Sequence, residues 1–418
     1  MPQRASLSPE TPQESGDPPD GGYGWVCVIS VFLINVHTWG LNSAYSVFLS
    51  QYLQFGAFAG ASPIVFAYVG GLSISLAFLV SPIVSWLLAS FNTRATLGCG
   101  VLVEGFSFIA ASFATQIWHL FLTQGVCFGC GMGLLYTGTA GLLSSWFARR
   151  NGLANALASA GSGVGGLVYS LVTNKLIEEV GAPMTLRILG IIAVAVNGFA
   201  VLLLVDRQER RERVSWRDAL GLSLLRRPQF ALFAAYGAFS ILGYVVLLFS
   251  LPSYASSIGL SPTQGSLVAA LLSVGQIISR PLTGVLIDRF DNLVVTAATS
   301  LAVALLCLLM WTFASDFATL LAFSVLVGAF AGSIFVVVAP VLVSIVGKSS
   351  LSNALSLSWL ALVIPATFSE AIALAITGAA GGSFLGAKIF TGCCYLCAAA
   401  VVACIYSLRK RTCATDAE

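Results

Sequence analysis

Long apolar stretches alternate with short polar segments along almost the whole chain. A helix needs about 20 apolar residues to cross the hydrocarbon layer of a bilayer. When the apolar stretches are divided at polar residues, Pro and Gly, twelve spans are predicted, at residues 24–53, 61–89, 94–114, 117–146, 149–177, 185–205, 229–256, 262–288, 293–313, 317–346, 351–377 and 384–408. The pattern therefore predicts an all-α membrane protein with two sets of six helices.

The polar segments divide the chain into five parts. Residues 1–20 form a tail rich in Pro, Ser, Gln and acidic residues, which we expect to be disordered, and residues 21–205 carry the first six helices. Residues 206–228 form a linker with seven arginines, residues 229–408 carry the second six helices, and residues 409–418 form a short tail. Two pseudo-symmetric six-helix halves are typical of transporters built from internal repeats, with a central site near the bilayer midplane.

Charge is distributed unequally between the two sides of this arrangement. Lys and Arg residues of the loops fall on the side of the N-terminus and the linker, and only Lys175 and Arg187 fall on the opposite side. Because loops rich in Lys and Arg remain in the cytoplasm, the sequence predicts a multi-pass protein with both termini and the linker cytoplasmic. The plasma membrane is the expected location, and an internal membrane is the alternative.

Composition agrees with a chain that is solvated mainly by lipid. Hydrophobic residues make up 57% of the 418 residues and charged residues 9%, whereas a soluble domain carries about 25% charged residues. The close sets among the Cys residues lie in apolar helices without His or acidic neighbours, and we interpret them as packing residues. No motif of a hydrolase or a nucleotide-binding enzyme is present. We therefore predict a protein that is not an enzyme and uses no cofactor and no metal ion.

Two short motifs flank helices of the first half. The first runs Asp20, Gly21, Gly22, Tyr23, Gly24, Trp25, and the second runs Trp146, Phe147, Ala148, Arg149, Arg150 and continues into a small-residue stretch with Gly161 and Gly165. Together they resemble the two signatures of the monocarboxylate transporter family of the major facilitator superfamily, in particular its fungal branch, which the stretch from Trp39 to Ser43 also resembles. The resemblance covers residues 20–408 and implies a twelve-helix fold and transport by alternating access.

A third motif lies between the eighth and ninth predicted spans. The segment from Gly284 to Arg289, which includes Asp288, resembles the cytoplasmic loop motif of the superfamily and implies a charge latch between conformational states. The corresponding loop of the first half keeps only Thr93 and Arg94. A latch in this chain is therefore expected to be asymmetric. The small residues of the second motif are expected to let a neighbouring helix approach closely, either as static packing or as a surface that rocks.

Arg280 is the strongest candidate for binding an anion. A charge near the bilayer centre costs about 2.5–3.5 kcal/mol on insertion scales, and a guanidinium offers a planar donor fork to a carboxylate. The alternative is a structural pairing with a helix carbonyl or an acidic side chain. In the resembling animal lactate carriers, an Asp and a Lys stand at the positions of Gln276 and Ser43, so their proton-coupled mechanism does not carry over.

Three further ionisable residues inside the spans are candidates for proton coupling. Glu370 follows Pro365 on a helix that lines the cavity in the resembling fold, and its expected depth differs from that of Arg280. Glu104 is a candidate for the same role or for a structural hydrogen bond. His37 has an ordinary titration range near neutrality, and a simple hydrogen-bonding role is the alternative.

Polar and aromatic residues on the expected cavity-lining helices complete the predicted substrate site. Besides Arg280, the candidates are Gln276, Asn42, Ser43, Tyr45, Tyr136, Tyr236, Tyr244 and Trp359. Such residues suit an organic substrate with an apolar body.

The leading interpretation is a secondary transporter of a small organic acid or related amphipathic metabolite, with protons as a candidate co-substrate. The alternatives are transport of a neutral or bulky compound and a nutrient sensor that does not transport. The predicted partners are a small molecule and the lipid bilayer, with no nucleic acid, and no accessory protein is indicated.

Overall fold

A computed structural model describes residues 19–55, 62–147, 150–207, 224, 226–347 and 351–415. Eleven helices within these residues are long and apolar enough to cross a membrane. One of them, Asn151–Leu203, has 53 residues, which at 1.5 Å per residue is about 80 Å and more than twice the hydrocarbon thickness. Its helical conformation is broken at Gly181, where φ is 78° and ψ is 161°. The described residues therefore contain twelve crossings, which confirms the prediction of the fold.

The crossings are numbered α1 to α12 in chain order. They are α1 (Gly24–Leu53), α2 (Pro63–Leu88), α3 (Thr93–Ala111), α4 (Ile117–Ser145), α5 (151–180), α6 (182–203), α7 (Pro228–Ser257), α8 (Pro262–Ile287), α9 (Asn292–Trp311), α10 (Phe317–Val346), α11 (Ala354–Ala379) and α12 (Leu385–Lys410). The side of the bundle where α6 ends and α7 begins is called the linker side. Most of the linker, the start of the N-terminal tail, Arg149 and residues 416–418 lie outside the described residues.

Local sequence explains where several helices begin. Asn92 accepts a hydrogen bond from the backbone nitrogen of Ala95 at 2.6 Å and so caps α3. Asp316 caps α10 by accepting hydrogen bonds from the side chain of Thr319 at 2.6 Å and from its backbone nitrogen at 2.9 Å. The same hydrogen bonds hold the pKa of the exposed Asp316 carboxyl below its ordinary value. Pro residues open α2, α7 and α8, where the missing N–H costs nothing.

Helices within each half pack closely where glycine removes a side chain. In the first half α1 packs against α5, and a Cβ added at Gly165 would lie 2.3 Å from the carbonyl oxygen of Val36. In the second half α8 packs against α10, and a Cβ at Gly275 would lie 2.3 Å from the carbonyl oxygen of Val325. Any larger residue at these positions would force the helices apart.

The two largest contacts between the halves are a seam between α5 and α8 and a seam between α2 and α11. A Cβ at Gly163 of α5 would lie 3.1 Å from the carbonyl oxygen of Ser273, and a Cβ at Gly71 of α2 would lie 2.4 Å from that of Thr367. The small-residue stretch of α5 thus serves two neighbours. Gly161 and Gly165 face α1, whereas Gly163 faces α8.

Helix α1 is irregular near its middle. Residues Val36–Gly40 are π-helical, and a second short helical segment, Leu41–Ser43, follows before the chain continues as Tyr45–Phe55. Short π segments inside helices often occur at functional sites. This irregularity places His37 and Trp39 on a part of α1 whose side-chain spacing differs from that of a regular helix.

Candidate functional site

Arg280 lies in the interior between the halves, where its side chain is 5% exposed. Its Nη1 donates to the backbone oxygen of Ser159 at 2.7 Å and also to the hydroxyl of Ser162, both on α5. Its Nη2 donates to Oε1 of Gln276 at 3.1 Å, one turn earlier on α8. The guanidinium therefore binds neutral oxygens from both halves at once.

No carboxylate neutralises Arg280 among the described residues. The ion pairs found in that part of the chain are Lys175–Glu179 and Arg409–Asp291, and neither includes it. Arg280 precedes the end of its helix at Arg289 by nine residues, or about 13 Å from the linker side. Glu370 lies nine residues before Ala379, which ends α11 on the side opposite the linker side. Measured along its helix, Arg280 is therefore nearer the linker side than Glu370 is.

Beside Arg280, six aromatic rings from both halves form one group, which we call the aromatic cluster. Trp39 contacts Phe78, Tyr136 and Phe335 at centroid distances of 5.9, 5.2 and 5.2 Å. Trp359 stacks on Phe78 at 5.2 Å and on Phe335 at 6.3 Å. Tyr244 is the sixth member and contacts Phe335 at 5.4 Å. The cluster joins α1, α2 and α4 of the first half to α7, α10 and α11 of the second.

The guanidinium of Arg280 contacts the aromatic cluster directly. The Cζ of Arg280 lies 5.8 Å from the centroid of the Phe335 ring, and the ring of Tyr244 contacts the same Phe335 ring at 5.4 Å. A Cβ added at Gly332 would lie 3.5 Å from both Nη2 of Arg280 and Oε1 of Gln276. The site therefore combines a guanidinium, an amide and a phenol with flat apolar surfaces, which suits an anion with an apolar body.

Other predicted site residues surround this centre or lie apart from it. Asn42 donates to the hydroxyl of Ser73 at 2.8 Å, and Ser43 donates to the backbone oxygen of Trp39 at 3.1 Å. Tyr45 lies further along α1, where its hydroxyl donates to the backbone oxygen of Phe66 at 2.5 Å. Tyr236 packs against Phe233 within α7 at a centroid distance of 5.6 Å. These contacts of Tyr45 and Tyr236 do not connect them to Arg280.

Glu370 forms a second polar centre between α7 and α11. It is fully buried, and its Oε1 accepts a hydrogen bond from the hydroxyl of Ser250 at 2.7 Å. Its Oε2 has no partner among the described residues. The ring of Tyr45 on α1 contacts Phe249, the residue before Ser250, at a centroid distance of 5.4 Å. A buried carboxyl with one free oxygen between two helices can take up and release a proton.

The other two proton-coupling candidates have partners inside the first half. Nδ2 of Asn197 on α6 donates to Oε2 of Glu104 on α3 at 2.7 Å. The ring Nδ1 of His37 is hydrogen-bonded to the hydroxyl of Tyr169 on α5. Glu104 therefore joins α3 to α6, and His37 joins α1 to α5, without a contact to the second half among these hydrogen bonds.

The two sequence signatures meet at the linker side in what we call the N-terminal clasp, residues 20–25, 146–147 and 203–205. The backbone nitrogen of Asp20 donates to the carbonyl oxygen of Trp146 at 3.0 Å, and Trp25 packs against Phe147 at 5.0 Å. Tyr23 donates to the carbonyl oxygen of Leu203 at 2.8 Å. Gly22 has a φ of 59°, a conformation that favours glycine. The clasp fixes the start of α1 to the ends of α4 and α6.

Charged loops tie each half together at the linker side. In the first half, Thr93 donates to Oδ2 of Asp206 at 2.6 Å and Arg94 donates to the carbonyl oxygen of Leu204 at 3.0 Å. In the second half, Arg409 at the end of α12 forms an ion pair with Asp291, which opens α9.

The motif from Gly284 to Arg289 forms the last turns of the helix that contains α8, beside the seam with α5. A Cβ added at Gly284 would lie 3.8 Å from the Cβ of Ala156, an ordinary van der Waals contact between the halves. Arg289 is exposed. The side chain of Asp288 lies outside the described residues, so the charge latch stays a prediction.

Comparison with known proteins adds independent information. A family model described as Major Facilitator Superfamily matches residues 27–261 and 234–414. The chain is 33% identical over 384 residues to "Probable transporter MCH2" of Saccharomyces cerevisiae, which covers 90% of this chain and 81% of that protein. It is 32% identical to "Uncharacterized transporter ESBP6" of the same yeast, over 94% of this chain and 61% of that protein. It is 28% identical to "Monocarboxylate transporter 10" of Rattus norvegicus, over 86% of this chain and 74% of that protein.

Proposed function

The chain belongs to the Major Facilitator Superfamily and is a membrane transporter related to monocarboxylate transporters, and we propose that it carries a small organic acid with an apolar body. The transport mechanism we propose is alternating access, in which the halves rock about a central site. Arg280 binds the carboxylate of the substrate, and the aromatic cluster contacts the rest of it. The resemblance found in the sequence motifs is confirmed by these relatives.

The observation that carries the proposal is the position of Arg280. A guanidinium is charged at every accessible pH, and this one is buried between the halves without a carboxylate among the described residues. Its Nε has no hydrogen-bond partner there. A substrate carboxylate would supply both the missing charge and an acceptor for Nε, in the bidentate geometry that Arg favours.

The hydrogen bonds to α5 suggest how binding is coupled to movement. In this conformation Nη1 is occupied by Ser159 and Ser162 of the other half. Separation of α5 from α8 would break these bonds and leave the guanidinium with Gln276 alone. We infer that the substrate carboxylate replaces the oxygens of α5 when the seam opens on the linker side, so that ligand binding compensates for the lost contacts.

In proton-driven transport, Glu370 is the residue that binds and releases the proton. Gln276 cannot carry a proton, whereas Glu370 is a buried acid between α7 and α11. Because α11 also forms the seam with α2 of the first half, a change in the charge of Glu370 would alter the contacts that hold the halves together. This assignment makes the carrier a proton symporter in which substrate and proton sites are separate.

The alternative functions make different demands on the same residues. A neutral or bulky substrate would leave the charge of Arg280 without compensation in every conformation, so the buried guanidinium favours an anion. A sensor that does not transport would bind ligand without moving it. Binding and flux must therefore be measured separately.

The experiment is uptake and binding with purified protein in proteoliposomes, using a panel of radiolabelled monocarboxylates that range from short aliphatic to single-ring aromatic acids. Wild type is compared with Arg280→Lys and Arg280→Gln. A hydrogen bond to a charged group contributes about 1.5–3 kcal/mol, so Arg280→Gln should weaken binding about 10- to 100-fold. Arg280→Lys should recover part of the affinity because it keeps the charge and loses the planar fork.

Three outcomes would contradict the proposal. Unchanged affinity in Arg280→Gln, with a lower melting temperature, would make Arg280 a structural residue. Saturable binding without any flux in wild type would indicate a sensor. Competition of the labelled acids by neutral analogues of the same shape, with equal affinity, would indicate a neutral substrate.

A further inference from the structure

Two buried nitrogen donors beside the aromatic cluster have no hydrogen-bond partner among the described residues. One is Nε of Arg280 and the other is the indole nitrogen Nε1 of Trp39. Their residues are 5% and 7% exposed. Both contact the same ring, since Phe335 lies 5.2 Å from Trp39 by centroid and 5.8 Å from the Cζ of Arg280. The two unpaired donors are therefore neighbours across a single phenylalanine.

The surroundings of Trp39 provide no good acceptor for its N–H. Its ring contacts are with Phe78, Tyr136 and Phe335, and ring faces accept hydrogen bonds only weakly. A buried indole N–H normally finds a partner, because leaving it unmade loses the hydrogen bond that water would have supplied. Trp39 also sits in the π-helical part of α1, and such segments are frequent at functional sites.

We propose that Trp39 is the second polar contact of the substrate site, and that it donates a hydrogen bond from Nε1 to an acceptor oxygen on the body of the transported acid. This inference rests on the proposed function, in which Arg280 binds the carboxylate. It specifies the substrate class further, as organic anions that carry an ether, carbonyl or hydroxyl oxygen on the apolar part. The rings of the cluster then contact the part of the molecule between the two polar ends.

The distances are compatible with one small molecule. The Trp39 centroid and the Arg280 Cζ are at most about 11 Å apart, because the Phe335 centroid lies 5.2 Å from the first and 5.8 Å from the second. Each hydrogen bond takes up about 2.9 Å of that separation. At most about 5 Å then remains between the two acceptor atoms, which a small acid with an oxygen near its carboxylate can bridge. A donor at each end would also select the orientation in which the substrate binds.

The chain offers a matched control for an unpaired indole. Nε1 of Trp311 in α9 is likewise buried without a partner among the described residues. Its ring contacts are Phe323 at 5.4 Å and Tyr254 at 6.2 Å, which belong to the same half. Trp311 is therefore outside the aromatic cluster, and its replacement tests whether the loss of any buried indole N–H has the same effect.

The test uses pairs of probe acids that differ only in one acceptor oxygen. Para-methoxyphenylacetate is compared with para-ethylphenylacetate, and the meta isomers are compared in the same way, by calorimetric titration of purified protein. Wild type should bind the methoxy compound of at least one pair about 3- to 10-fold more tightly, as expected for one hydrogen bond. Trp39→Phe keeps an aromatic ring and removes the N–H, and should abolish this preference, because the loss of ring contact weakens both members of a pair alike.

The controls separate this inference from the proposed function. Trp311→Phe should keep the preference of wild type, and Arg280→Gln should weaken both members of every pair. If wild type binds the pairs in an Arg280-dependent way without preferring the oxygen, or if Trp39→Phe keeps the preference, the role of Trp39 is refuted and the proposed function stands. If no probe binds wild type, or if Arg280→Gln binds all probes as wild type does, the carboxylate site and the role of Trp39 fall together. The preference is a ratio within one protein, so partial unfolding of a variant does not alter it.

Discussion

Nη1 of Arg280 donates a hydrogen bond of 2.7 Å to the backbone oxygen of Ser159, so that one side chain of α8 holds the opposite half of the molecule by its main chain. The hydroxyl of Ser162 adds a second acceptor on the same helix. A backbone acceptor remains whatever side chain is present, whereas the hydroxyl does not. The two serines therefore make different contributions to the same seam.

Replacement of the hydroxyl should weaken the seam selectively. Ser162→Ala removes one acceptor of the guanidinium and should cost about 1–3 kcal/mol, whereas Ser159→Ala keeps the backbone oxygen and loses only a bond to Ala156 in its own helix. We expect Ser162→Ala to lower the melting temperature of purified protein by several degrees more than Ser159→Ala does. Substrate affinity should be unchanged or higher, because Arg280 is released. Equal melting temperatures for the two variants would show that the hydroxyl does not hold the seam.

A pH profile of uptake tests the assignment of the proton site. Wild type should take up substrate faster as the pH falls on the side from which substrate is taken, because the carrier must be protonated there and deprotonated on the other side. Glu370→Gln keeps an acceptor for Ser250 and cannot titrate, so the profile should become flat while substrate exchange at equal pH continues. Glu104→Gln is the matched control, since that carboxyl is bonded to Asn197 within the first half. A flat profile in the control, or an unchanged one in Glu370→Gln, would move the proton site elsewhere.

The N-terminal clasp depends on close contact at one glycine. A Cβ added at Gly24 would lie 2.9 Å from a ring carbon of Phe147 and 3.1 Å from Cβ of Trp146, whereas a Cβ at Gly21 meets nothing within 4 Å. Overpacking of this kind costs about 1–3 kcal/mol. Gly24→Ala should therefore lower the melting temperature and the yield of folded protein, and Gly21→Ala should not. The clasp has no structural importance if both variants behave as wild type.

We predict the orientation of the protein in the membrane from its twelve crossings and from the positive charge of the linker side. Epitope tags inserted at residue 215 and at the two termini should react with antibodies only after the membrane is permeabilised. A tag placed next to Gly259, between α7 and α8, should react in intact cells if the protein resides in the plasma membrane. Reaction of a terminal tag in intact cells would reverse the predicted orientation.

The number and length of the helices could be predicted because the bilayer sets them. Apolar runs must cover the hydrocarbon layer, and the polar segments between successive helices mark where the chain leaves it. The exception is the connection between α5 and α6, predicted as a polar loop after residue 177. Hydropathy shows where a chain leaves lipid and does not show whether its backbone remains helical. The structure keeps the helix and interrupts it only at Gly181.

The polar partners of the site could be predicted only where they are local. Gln276 stands one helical turn before Arg280 on the same face, so its contact could be expected from sequence. Ser159 and Ser162 come from another helix, and no periodicity within α8 points to them. Nothing in the sequence distinguishes Phe78 from other apolar residues, and an aromatic residue in an apolar span carries no local signal of the cluster it joins.

Gly181 is the single non-helical residue between α5 and α6, so the two helices are joined without a flexible loop. Its conformation, with φ 78°, is one that side-chain-bearing residues rarely adopt, and there is no length of loop in which a displacement of α5 could be absorbed. Asn197 passes such a displacement from α6 to Glu104 on α3 through a bond of 2.7 Å. In the proposed alternating-access cycle, a displacement of α5 on its release from Arg280 would therefore be transmitted across the first half.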